Sequence, residues 1–195
     1  METTKKPVYK TTLCAVFIAL GTVLSLITVF KMPLGGSVTL LSMLPIVMIS
    51  VMFGLKWGFG AAFVYSLAQL ALGLPEILTW GLTPVMLAGT IAFDYIIAFT
   101  VLGISGIFAK KGYAGACGGV ALAIALRFVS HFISGYVIFK NLEQFELFGG
   151  VFTNRPFLYS FAYNAFYMLP ELVLTTAAAM IIFRMPAVKK IIGIK

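Results

Sequence analysis

The feature that most constrains this chain is a succession of apolar runs close to the roughly 20 residues that a helix needs to cross a bilayer. Six can be drawn: Thr11 to Phe30, Val38 to Phe53, Gly58 to Leu72, Pro84 to Phe108, Ala114 to Phe139 and Phe157 to Phe183. Only 10% of residues are charged and 61% are hydrophobic, whereas a soluble domain carries about 25% charged residues. In lipid the backbone must satisfy its own hydrogen bonds, and segments of this length do so as helices. The expectation is an all-α integral membrane protein of six transmembrane helices, forming a single domain over residues 1–195. No stretch outside the runs is long enough for a soluble catalytic domain.

The breaks between runs have loop chemistry. Lys31 to Ser37 reads KMPLGGS, Gly54 to Trp57 turns the chain, and Gly73 to Thr83 reads GLPEILTWGLT. In that last loop Trp80 is an interfacial anchor and Glu76 a solvated charge. Lys140 to Pro156 is a longer polar and aromatic loop, Pro45 and Pro170 fall inside runs, and Arg184 to Lys195 is a basic tail. The first run is too long and too bulky at its end for a cleaved signal peptide. Six spans put both termini on one side. Lys5, Lys6, Lys10, Lys56, Lys110, Lys111, Arg184, Lys189, Lys190 and Lys195 then share that side, against Lys31, Lys140 and Arg155 opposite. Basic residues mark the cytoplasmic face, so both termini should be cytoplasmic and the three loops should share the outer face. The same asymmetry accounts for the net charge of +8, which needs no nucleic-acid partner. Cys14 and Cys117 have no metal-ligand spacing and read as reduced packing residues.

Ionisable groups inside the runs are costly in lipid and usually face a partner, a cavity or a ligand. Arg127, His131 and Gly135 lie four residues apart on one helical face, which should look inward. Asp94 and Tyr95 occur in FDYIIAF of the fourth run, and Tyr159 and Asn164 in YSFAYNAFY of the sixth. Asp94 lies about 15 Å below the outer end at 1.5 Å per residue, and His131 and the sixth-run residues fall at similar depth. With Phe139 they describe an outward-facing pocket suited to a flat heteroaromatic ligand, best a cationic one. Taken alone, Asp94 and Arg127 could simply neutralise each other. Glu171 also needs a partner or a proton, and a structural ion pair between Arg127 and Glu171 is one expectation. Ala15 and Ala19 form a small-xxx-small stripe that lets another helix approach.

Other classes fit less well. Ser105 in GISG with His131 would resemble the pairing of rhomboid proteases, but the two lie at different depths, beyond hydrogen-bond reach. There is no zinc spacing or phosphate loop, so neither an enzyme nor a cofactor is indicated. Two related halves, as in many stand-alone transporters, are not visible.

Jointly MPLGGSV with the following MLPI, FDYIIAF, RFVSHFISG and YSFAYNAFYMLP resemble the substrate-binding S components of energy-coupling factor transporters, in their thiamine-specific branch. The resemblance runs nearly end to end. It implies a prokaryotic plasma-membrane protein that binds the vitamin from outside, then docks on a transmembrane coupling subunit driven by two ATPase subunits. Ala15 and Ala19 match the family's docking stripe. Asp94 takes the place of an acidic residue facing the cationic vitamin, with Tyr95 beside it, and His131, Tyr159 and Asn164 match ring-contacting positions. Phe139 and Gly36 stand where some members have tryptophan, and Asp94 is shorter than the glutamate of some members. The ligand is therefore thiamine or a related heterocycle such as hydroxymethylpyrimidine.

Overall fold

A computed structural model describes residues 7–139, 146–147, 150–151 and 155–193. Helix α1 spans Pro7–Leu26, and a hairpin of β1 (Thr28–Lys31) and β2 (Ser37–Thr39) follows it. Helices α2 (Leu44–Phe53) and α3 (Leu55–Ile77) come next, then the helical span α4 (Pro84–Lys111) and α5 (Tyr113–Val137). Strands β3 (Glu146–Leu147) and β4 (Gly150–Val151) pair, and α6 (Pro156–Arg184) and the short α7 (Pro186–Ile192) end the described chain. Among the described residues five helices are long and apolar enough to cross a membrane: α1, α3, α4, α5 and α6. The remaining apolar helix, α2, has ten residues, or about 15 Å.

Several expected boundaries move, each for a local reason. The first helix stops at Leu26 rather than Phe30, because Thr28, Val29 and Phe30 are β-branched or aromatic and enter β1, where Thr28 pairs with Thr39 and Phe30 with Val38 around an irregularity at Val29. Val38 and Thr39, expected to begin the second span, belong to that hairpin. The turn expected over Gly54 to Trp57 shrinks to Gly54 alone, whose φ of +87° is open to glycine, and α3 begins at Leu55. The expected loop from Gly73 is helical to Ile77, with Pro75 inside it. Its glycine serves packing rather than a turn: a Cβ at Gly73 would lie 2.7 Å from the Tyr95 ring. The helix ends after one further tight turn, Leu78–Trp80, at left-handed Gly81. Thr83 caps α4 by accepting from Met86 N, with Pro84 in the first turn. Lys5, Lys6, Lys140 and Lys195, used in the charge count, lie outside the described residues, as does most of the Lys140 to Pro156 loop.

Helix α2 is apolar all round and seven of its ten residues are buried, as a helix enclosed by others must be. Close approach of its neighbours depends on small residues. A Cβ on Gly103 would lie 2.6 Å from Phe59 N and Cα, and one on Gly58 would lie 2.8 Å from Gly103 O. Here α4 tightens to a 3-10 helix over Val101–Gly106, and serines supply bonds that the altered pitch displaces. Ser50 Oγ donates to Gly103 O at 2.5 Å and accepts from Gly106 N at 3.0 Å. Ser105 Oγ donates to Val47 O at 2.9 Å; the GISG serine is a packing residue. Cys14 and Cys117 are free and buried. Tyr65, fully buried, meets Phe99 edge to face at 5.4 Å.

Overpacking costs about 1–3 kcal/mol, so Gly103→Ala should lower the melting temperature in detergent measurably. Gly118→Ala, where a Cβ meets nothing within 4 Å, should leave it unchanged or raise it; fluorescence-monitored unfolding of the two variants checks the contrast.

Candidate functional site

One end of the bundle encloses a cavity of about 320 Å³. Asp94 and Tyr95 reach it from α4, His131 from α5, Phe139 from just beyond α5, Tyr159 and Asn164 from α6, and Gly36 from the hairpin. The seven residues singled out in the sequence thus share one wall-to-wall space. Asp94 and Tyr95 sit within a π-helical stretch, Ile91–Ile97; such wide turns shift the facing of the side chains they carry.

The polar centre is a chain of four side chains. Arg127 Nε donates to His131 Nε2 at 3.2 Å. A guanidinium only donates, so Nε2 is the lone-pair nitrogen and the imidazole proton is on Nδ1. That proton meets Asp94 Oδ1 at 2.9 Å, while Ser134 Oγ donates to Asp94 Oδ2 at 2.5 Å. Both carboxylate oxygens are answered, which offsets part of the cost of placing a carboxylate in apolar surroundings. Arg127, His131, Ser134 and Gly135 fall on the inward face of α5 because they lie at helical spacing, and all four line the cavity. The Arg127 guanidinium lies over the Phe99 ring at 4.1 Å and donates through Nη1 to Met43 Sδ at 2.7 Å.

Asn164 is fixed rather than loose. Its Nδ2 donates to Ser160 O at 2.8 Å and to His131 O at 3.3 Å, and its Oδ1 accepts from Tyr167 OH at 2.7 Å. Close approach of α5 and α6 makes this possible: a Cβ on Gly135 would lie 3.1 Å from Asn164 Nδ2. Phe139 is buried and meets Trp80 edge to face at 6.2 Å, so Trp80 closes the cavity wall in addition to any interfacial role. Tyr159 stacks on Tyr163 at 5.9 Å.

The expected Arg127–Glu171 ion pair is not formed. Arg127 is taken up by His131, Phe99 and Met43, while Glu171 Oε1 accepts from Thr39 N at 2.6 Å and Thr39 Oγ1 at 2.7 Å. Sequence spacing placed both residues deep in their helices, yet neither depth nor periodicity says which neighbour lies nearer. Arg127 belongs to the cavity instead. Glu76, read as a solvated charge, pairs with Lys31 at 2.8 Å across the cavity rim. Ser134, Tyr163 and Tyr167 also line the cavity and were missed. The two tyrosines carried a usable signal, since they continue from Tyr159 at steps of four. Ala15 and Ala19 lie exposed on α1, away from the cavity.

Residues 11–191 match the family model described as thiamine transporter protein (Thia_YuaJ). The chain is 31% identical over 166 residues to the thiamine transporter ThiT of Bacillus subtilis (strain 168), covering 78% of each chain. The structure of ThiT from Listeria monocytogenes superposes with a TM-score of 0.71 at 20% identity, over 95% of this chain and 97% of that one. This last likeness is one of fold.

Since Arg127 and Glu171 serve different partners, the crossed exchange Arg127→Glu with Glu171→Arg should not rescue folding. The double variant should be no more stable in detergent than the worse single variant, as read by size-exclusion profile and melting temperature.

Proposed function

Because this chain belongs to the thiamine transporter family, we propose that it is the substrate-binding S component of an energy-coupling factor importer. It is a transporter and not an enzyme, and a multi-pass protein of the plasma membrane. In this reading six membrane segments, α2 being the short buried one, leave both termini in the cytoplasm. The cavity opens outward, captures thiamine, and delivers it after docking on a transmembrane coupling subunit driven by two ATPase subunits.

The observation that carries the reading is the Asp94 carboxylate at the wall of an aromatic cavity. Thiamine is two flat rings, an aminopyrimidine and a permanently cationic thiazolium. Its rings suit the faces of Tyr159, Tyr95 and Phe139, its positive charge suits Asp94, and its pyrimidine edge suits the polar groups around His131 and Asn164. A cavity of about 320 Å³ lies at the lower end of the range for small-ligand sites. Support for orientation comes from charge: Lys10, Lys56, Lys110, Lys111, Arg184, Lys189 and Lys190 fall on the side assigned to the cytoplasm, against Lys31 and Arg155. Support for docking comes from α1, the least enclosed of the long helices, which carries Ala15 and Ala19 on an exposed face.

Calorimetry with thiamine on the purified protein tests the site. Removing the charge that faces a buried cation costs about 2 kcal/mol or more, so Asp94→Asn should weaken binding roughly 10- to 100-fold. Binding of hydroxymethylpyrimidine in place of thiamine would keep the mechanism and move the substrate. For docking, Ala15→Trp with Ala19→Trp should abolish uptake in cells while leaving thiamine affinity in detergent unchanged.

A further inference from the structure

The hairpin that walls one side of the cavity is held along a single ridge of α6. Tyr159, Tyr163, Tyr167 and Glu171 follow one another at steps of four, and so lie on nearly one line of that helix. Three of them engage the hairpin in register. Tyr163 OH donates to Pro33 O and accepts from Gly36 N at 3.3 Å. Tyr167 packs against Gly36, where a Cβ would come within 2.8 Å of its ring. Glu171 takes both the backbone N–H and the hydroxyl of Thr39 on one oxygen, and the Thr39 hydroxyl in turn meets Ser42 Oγ at 2.7 Å.

These attachments differ in strength. The Lys31–Glu76 pair at the rim is exposed and screened by solvent, so it holds the hairpin weakly. Glu171 is 2% exposed and Thr39 is 8% exposed, so their bonds form away from water, where breaking them leaves a buried donor unpaired. Glu171 lies outside the cavity lining, whereas Lys31, Gly35, Gly36 and Ser37 of the hairpin segment lie within it. We propose that Glu171 is a positioning residue that clamps the inner end of the hairpin to α6, fixes its register on the tyrosine ridge, and thereby slows escape of the bound ligand. The effect on ligand escape rests on the function proposed above; the clamp itself does not.

Hydrogen exchange read by mass spectrometry on the ligand-free protein in detergent tests the clamp, with thiamine dissociation measured alongside. Glu171→Met removes the acceptor at similar volume. Exchange in peptides covering residues 28–41 should then rise about tenfold, as leaving a buried donor without its acceptor implies, with α5 peptides unchanged and thiamine dissociating faster by a similar factor. Glu171→Gln keeps an acceptor oxygen and should restore most of the protection and the slow release. Unchanged hairpin exchange in Glu171→Met overturns the proposal, as does an equal rise in every helix, or a Gln variant as damaged as Met. If Glu171→Met does not fold, Thr39→Val removes one of the two donors; a smaller rise confined to the same peptides supports the clamp and no rise overturns it. Failure of the wild-type protein to bind thiamine would sink the proposed function while leaving the exchange result to decide the clamp.

Discussion

A carboxylate among apolar helices is costly unless protein groups answer it, and the site is built around meeting that demand at both oxygens of Asp94. His131 answers one oxygen and Ser134 the other. His131 can do so only as the tautomer protonated on Nδ1, and Arg127 enforces that tautomer from the opposite nitrogen. Arg127 in turn needs its charge accommodated, which Phe99 and Met43 do. The result is a centre at the cavity wall in which Arg127, His131, Asp94 and Ser134 each have a partner within the protein.

The rest of the bundle divides between two kinds of packing. Around Ser50, Gly58, Gly103 and Ser105 the helices touch backbone to backbone, with no room for added side chains. Around the cavity the lining is in large part aromatic, with Trp80, Tyr95, Phe99, Phe139 and the three tyrosines of the α6 ridge bordering one space. The changes of pitch in α4 serve both halves: a wide turn presents Asp94 and Tyr95, and a tight turn lets α4 close on α2 and α3.

Much of the site was legible in the sequence because a membrane makes polar residues conspicuous. Asp94, His131 and Asn164 stood out against apolar neighbours, and their depths could be compared by counting rise per residue. Glu171 was equally conspicuous, yet its partner was misread, because Thr39 lies in a hairpin that the sequence showed only as part of a span. The loop expected from Gly73 was misread for a different reason: Gly73 and Pro75 have loop composition, whereas the segment is helical and the glycine makes room for the Tyr95 ring. Composition cannot distinguish a glycine that bends a chain from one that admits a neighbour.

The sequence by itself determined that this chain is a helical membrane protein, that the face of Arg127, His131 and Gly135 looks inward, and which polar groups lie within the apolar runs. Hydropathy and periodicity are local properties, and lipid imposes them strictly. Which inward groups meet was left to the tertiary structure: Arg127 on His131 rather than Glu171, Glu171 on Thr39, and Glu76 on Lys31. Hydrogen bonds act over about 3 Å, so a rotation of one helix, a single π turn, or one glycine between helices changes every partnership, and none of these is written in spacing along the chain.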